Sequence, residues 1–332
     1  LTASENNIRE LPQSIGNLTS VINLELNDNK LTELPETIGN LKKLWRLFLF
    51  RNKLESLPES FGGMDSLEWL VIDNNRLTSL PQSIGNLNNL ETLEARYNRL
   101  NTLPESIGDL QNLKYMRLGY NEIESLPERI GDLNNLITLY CDYNNLNDLP
   151  ASIGSLQNLE DLSFRYNLIE ELPQTLNDLD SLKVLFLDGN KLTFEDLYNI
   201  QELLPGLIKG WYFNQAMVYK DTLLYFKKGE RSVIDLEVDE NISNNTYRWV
   251  KGRFNVIPDP GNNENVNKLI IQSPDLDDVG IYRASISNDD FPDTDLITRN
   301  ISVRVCDRQN DSLELIRLYD STSGPAWSNS IN

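Results

Sequence analysis

The dipeptide Leu-Pro begins at Leu11 and returns at Leu34, Leu57, Leu80, Leu103, Leu126, Leu149 and Leu172, always 23 residues apart. So strict a period, held over eight complete units from 11 to 194, dictates a stack of copies, because a single unit of this length cannot bury its own apolar face. Residues 1–10 keep the register with Ala3, Asn6 and Ile8 and read as the tail of an earlier unit. Inside a unit, a run such as Tyr115-Met116-Arg117-Leu118 alternates in the manner of a short strand with one buried face. The proline sets the start of a short helical or 3₁₀ turn, and the glycine of Ser-Ile-Gly is expected to let the chain reverse. One asparagine per unit forms a column at Asn6, Asn29, Asn52, Asn75, Asn98, Asn121, Asn144, Asn167 and Asn190. Their amides are suited to satisfying backbone groups where each strand ends, a structural role.

The unit Leu103 to Ser125 carries LxxLxLxxNxL at Leu113, Met116, Leu118, Asn121 and Ile123. The array resembles the leucine-rich-repeat family over well over half of the chain. That resemblance implies an α/β solenoid, with parallel strands on a concave face and short helical or 3₁₀ turns on the convex one. Two units depart from the pattern: one has Phe61-Gly62-Gly63-Met64, the last has Leu176-Asn177. Thr193-Phe194-Glu195-Asp196 then has the form of a capping box. It predicts a helix through about Leu204, stopped by Pro205-Gly206, with Phe194, Leu197, Ile200 and Leu204 covering the open end of the core. This cap has no cysteines, unlike the caps of most secreted animal repeat proteins. The array and its cap are placed at residues 1–206.

From 207 to 306 the period vanishes and short strand-like runs take over, at 222–226, 233–238, 246–250, 267–271, 281–287 and 296–305. Asp278-Val279-Gly280-Ile281-Tyr282, followed by Ala284, resembles the DxGxYxC motif of immunoglobulin-like domains, in which the tyrosine forms a corner. Trp249 stands where such a domain keeps its core tryptophan, and the two cysteine positions are apolar, Leu236 and Ala284. The resemblance implies an all-β immunoglobulin-like sandwich without its core disulfide. Residues 307–332, with Asp311-Ser312-Leu313-Glu314 and Gly324-Pro325-Ala326-Trp327, resemble the cap that opens repeat arrays in bacterial multidomain proteins. The chain then reads as an internal piece of a larger bacterial surface protein.

Composition narrows the function. The formal charge is −20, which disfavours nucleic acids and anionic membranes as partners. Histidine is absent, which removes the commonest general base and most zinc sites. No Walker loop, GxSxG or nucleophile with its base is present, so the expectation is no enzyme, cofactor or metal. The acidic loops around Asp275–Asp278 and Asp289–Asp295 lack EF-hand spacing and read as solvated. Cys141 and Cys306 are expected to be unpaired thiols.

The solvent-facing strand positions are where recognition would lie. They place Arg46, Phe48, Phe50, Trp69, Arg96, Tyr97, Tyr115, Arg117, Tyr120, Tyr140, Tyr143, Arg165 and Tyr166 on one face. Aromatic and arginine enrichment marks interface hot spots, and arginines in so acidic a chain suggest an acidic partner. The competing reading is a stacked ladder that only covers strand edges. The sequence therefore points to a non-enzymatic recognition module that binds a protein or glycan in the concave groove, with the sandwich as spacer. Its expected location is bacterial, secreted or at the cell surface. A cytosolic signalling scaffold, binding a small GTPase or enzyme, is the alternative, and an inert stalk is a third.

Overall fold

The computed structural model describes residues 1–203, 207, 209–211, 215, 222–236, 242, 245–252, 255–256, 267–291 and 295–306. They fall into two compact units, Leu1–Asn214 and Gln215–Asn332. In the first, each repeat contributes a three-residue strand: β1 Asn23–Glu25, β2 Arg46–Phe48, β3 Trp69–Val71, β4 Thr92–Glu94, β5 Tyr115–Arg117, β6 Thr138–Tyr140, β7 Asp161–Ser163 and β8 Val184–Phe186. Neighbours pair in parallel, in strict register, so Met116 faces Leu93 on one side and Leu139 on the other. The middle residue of every strand points inward and is fully buried, as are Ile107, Leu110, Leu113, Leu118 and Ile123 of the same unit. Removing such a side chain from water contributes ~1.5–3 kcal/mol each, and the period repeats that gain along the stack.

The opposite side of each unit is a five-residue 3₁₀ turn, from Gln13–Asn17 to Gln174–Asp178. Every turn starts directly after a proline with φ between −64° and −70°, the angle its ring already imposes. The glycines of these turns serve a purpose other than the reversal expected from sequence. Gly16, Gly39, Gly62, Gly85, Gly108, Gly131 and Gly154 have no left-handed φ, but a Cβ on any of these seven would fall inside 3.0 Å of the carbonyl oxygen 21 residues on.

The cap begins as expected and ends earlier. Helix α1 spans Phe194–Asn199, and its capping box is formed by Thr193 and Asp196. The helix does not reach Leu204. Ile200 N–H bonds to Leu197 and Leu203 N–H to Ile200, a tightening to i−3 bonds. Asn177 holds that turn: its Oδ1 accepts from Leu203 N–H at 3.2 Å and its Nδ2 donates to the Asn199 carbonyl at 2.8 Å. Phe194, Leu197 and Ile200 are fully buried and Leu203 nearly so, while Leu204 lies outside the described residues. A ninth strand, β9 Lys209–Trp211, pairs with β8 in parallel, so the sheet runs past residue 206, where the sequence ends the array.

The second unit holds β10 Thr222–Lys227, β11 Ser232–Asp235, β12 Asn245–Lys251, β13 Asn255–Val256, β14 Lys268–Ile271, β15 Gly280–Asn288, β16 Asp295–Ile297 and β17 Ile301–Cys306. One sheet has the order β10-β17-β15-β12-β13, with β16 also on β15, and a second pairs β11 with β14. The strand expected over 296–305 is broken in two. Thr298 and Ala284 exchange bonds across the break, and Asn300 accepts from Arg283 Nε. Trp249 lies opposite Ala284 in the register, and both are buried, as is Leu236. The Tyr282 hydroxyl donates to the Asp278 carbonyl at 2.7 Å, and burial pushes its phenol up to about 12. Asp275 and Asp278 accept bonds from backbone N–H groups of their own loop. The acidic residue Asp293 and the segment 307–332 lie outside the described residues, as does the side chain of Cys306.

Cys141 is a free thiol with no exposed surface, in the inward column shared with Leu118 and Phe164. Burial drives its thiol well above the ordinary cysteine range, so the nucleophilic thiolate is suppressed. Native protein should resist a thiol reagent at Cys141 and label fully there once unfolded. Rapid native labelling at that residue, located by peptide mapping, would place it outside the core.

Candidate functional site: the sheet face of the array

The residues singled out from sequence sit on the strands or at their C-terminal turns, and the structure sorts them into three groups. Tyr97, Tyr120, Tyr143 and Tyr166 form a continuous stack. Successive ring centroids are 4.3, 4.3 and 4.5 Å apart, with planes inclined by 11°, 10° and 17°. The spacing follows from the separation of paired strands, ~4.8 Å, which carries each ring onto the next. All four tyrosines have φ between 51° and 59°, as do Asp28, Arg51 and Asn74 at nearby values in the same column. A left-handed backbone is costly for a residue with a large side chain, of order 1 kcal/mol. Tyrosine is thus kept here against local preference. The stack ends on Gly189, where a Cβ would strike the ring of Tyr166.

The second group is electrostatic. Arg96 bonds to Asp73 through Nε at 3.1 Å and Nη2 at 2.8 Å, and to Glu94 at 2.6 Å; Glu94 also holds Arg117 at 2.7 Å. Arg165 pairs with Asp188 at 2.9 Å and lies 3.9 Å over the ring of Phe186. Asp142 accepts from Ser163 Oγ and from Arg165 N–H. Burial pushes the carboxyls of Asp73 and Asp142 up, against the opposing pull of Arg96 on the first and of Ser163 and Arg165 on the second. The positive charge that sequence assigned to an acidic partner is therefore balanced within the face at Arg96, Arg117 and Arg165. Tyr115 and Tyr140 flank Arg117 at 6.0 Å each.

The third group lies at the N-terminal ends of β2 to β5. The guanidinium of Arg46 rests 3.9 Å over Trp45 and 5.2 Å from Trp69. With Glu68, Glu91, Thr92, Tyr115 and Arg117 these residues line a cleft of about 500 Å³. Trp45, Glu68 and Glu91 were not among the sequence candidates. They belong to the column just before each strand, where Trp45, Glu68, Glu91 and Lys114 recur 23 residues apart. Phe48 and Phe50 are half-buried and belong neither to the stack nor to the residues that line this cleft.

A leucine-rich repeat region matches residues 1–75, 67–140 and 107–205. The chain belongs to the leucine-rich-repeat family. Members of this family are generally non-enzymatic modules of protein interaction. A leucine-rich-repeat protein of Leptospira interrogans is 31% identical, at TM-score 0.51, over 63% of this chain and 59% of that one. This chain thus spans less than two thirds of the Leptospira protein. InlP of Listeria monocytogenes has the same fold at 20% identity and TM-score 0.56, over 90% of this chain and 78% of its own. That overlap extends beyond the repeat array. A chain of the octameric complex of latrophilin 3, Unc5D and the leucine-rich-repeat part of FLRT2 matches at 20% identity and TM-score 0.52, over 66% of this chain and 75% of that one. Comparison with curated proteins finds no match.

Proposed function

We propose that this leucine-rich-repeat protein is a non-enzymatic recognition module that binds a partner protein across the C-terminal turns of its strands. The observation that carries this is the stack Tyr97-Tyr120-Tyr143-Tyr166. Each ring is 40–47% exposed, held rigid by its neighbours, and placed at a backbone angle that tyrosine does not favour. Rigid aromatic side chains supply contact area at little entropic cost, and the paired charges around them give hydrogen-bonding groups fixed in place. Residues 207–306 serve as an immunoglobulin-like spacer. That reading is supported by the parallel pairing of β10 with β17, the Tyr282–Asp278 bond and the buried Trp249 opposite Ala284. A bacterial secreted or surface location is the matching expectation, supported by the joining of such a unit to the array.

The test is Tyr120→Ala/Tyr143→Ala, which removes the two inner rings and leaves the sheet hydrogen bonds in place. Partners retained by the wild-type chain from its source are purified and titrated against both forms. The double variant should lose ~2 kcal/mol or more of affinity, about thirtyfold, while remaining folded by circular dichroism. Undiminished binding, together with a lowered melting temperature, would make the stack a structural ladder.

A further inference from the structure

Among the charged side chains of the sheet face, two facing one cleft have no ion-pair partner among the described residues. Arg96, Arg117, Arg165 and Arg51 each hold a carboxylate, at 3.3 Å or closer. Arg46 holds none, and its Nε is buried without a hydrogen-bond partner. Glu68, which lines the same cleft, has no cation within ion-pair distance, whereas Glu91 is taken by Lys114 at 2.7 Å. Trp69, 39% exposed, Trp45 and half-buried Tyr115 line it as well.

That set specifies a ligand by elimination. The lining charges, Arg46 and Arg117 against Glu68 and Glu91, sum to zero. A carboxylate drawn to Arg46 would meet Glu68 and Glu91, and an ammonium drawn to Glu68 would meet Arg46 and Arg117. A neutral group avoids both penalties if it accepts from Arg46 and donates to Glu68. Hydroxyl groups do both. A saturated ring bearing them also has an apolar C–H face to lay on Trp69 or Tyr115, which would otherwise leave aromatic surface in water. The cleft is within the usual size range of small-ligand sites, ~300–1,000 Å³.

We infer that the cleft lined by Trp45, Arg46, Glu68, Trp69 and Tyr115 is a carbohydrate subsite that takes a neutral hexose unit of a glycan. Trp69 is the stacking platform, Arg46 the donor and Glu68 the acceptor. The site is distinct from the tyrosine stack, and neither reading depends on the other.

The experiment uses the full chain against an array of neutral glycans of gluco, galacto and manno configuration. It is followed in solution by tryptophan fluorescence with maltotriose, cellotriose and mannotriose as probes. At least one neutral saccharide should saturate. Trp69→Ala and the isosteric Glu68→Gln should each weaken it by about tenfold or more with unchanged melting curves. Tyr120→Ala/Tyr143→Ala should leave it intact, which separates this site from the protein-binding reading. Absence of retention across the neutral array would overturn the inference. So would retention that survives Trp69→Ala, or saturation by free amino acids in place of sugars.

Discussion

Replacing Asn121 by alanine should cost about 2–3 kcal/mol and lower the melting temperature of the array by roughly 5–10 °C. The amide of Asn121 donates to the carbonyls of Ala95 and Leu118, both at 2.9 Å, and its oxygen accepts from Leu100 N–H at 3.0 Å. All three bonds are buried, so alanine leaves Leu100 N–H without water or partner, at a cost of ~1–3 kcal/mol. The two carbonyls lose one donor each but keep another, Asn98 for Ala95 at 3.2 Å and Asn144 for Leu118 at 3.0 Å, so they add less. Asn121→Asp is the sharper control. It keeps an acceptor for Leu100 N–H and puts a second oxygen against two carbonyls, so it should be no milder than alanine. The first member of the column supplies the contrast. Asn6 is exposed and donates only to Ala3 and Ser4 of its own turn, so Asn6→Ala should change stability by well under 1 kcal/mol. Thermal and urea unfolding of the three variants checks all of this; equal losses at Asn6 and Asn121 would refute the bridging role.

The asparagine column was legible because its reason is local and repeats: a strand ends, its carbonyls need donors, and one amide per 23 residues supplies them. The inward leucines and the post-proline turns were legible for the same reason. What escaped was contact between units that no single unit displays. Asn177 reads in sequence as a lapse from Gly, yet it is the hydrogen-bond anchor of the cap. The extent of α1 was overread because a capping box marks where a helix starts, and nothing in the sequence weighs a competing side-chain acceptor 26 residues back.

The sheet face divides the same way. Period two names nine of the thirteen candidates, and the four tyrosines, one residue past that alternation at the turn, were named from their 23-residue column. Whether an arginine there is free or paired depends on a carboxylate one strand away and on two long side chains meeting. Sequence therefore offered Arg96, Arg117 and Arg165 as charge for a partner, where the structure has them bound to Asp73, Glu94 and Asp188. Arg46 looked like the other three and differs because it packs on tryptophans, Trp45 just before it in the chain and Trp69 opposite it on β3.

Gly108→Ala should destabilise the array by ~3 kcal/mol, comparable with strong overpacking of a core. A Cβ at residue 108 would lie inside 3.0 Å of both the carbonyl oxygen and the Cβ of Arg129 in the next unit. These atoms belong to the backbone of a 3₁₀ turn whose position the sheet register fixes on the far side, so no flexible side chain can yield. Helix-like backbone would ordinarily favour alanine over glycine by ~0.5–1 kcal/mol, which makes the sign of the effect the test. The column contains its own exception. Asn177 occupies the glycine position of the last unit, where the next element is the cap and not another 3₁₀ turn, and there the side chain makes bonds in place of a collision. Asn177→Gly should accordingly destabilise, by ~1–2 kcal/mol for the lost anchor, while Gly154→Asn one unit earlier should destabilise more. A stabilising Gly108→Ala in urea unfolding would mean that the units are not in van der Waals contact along this column.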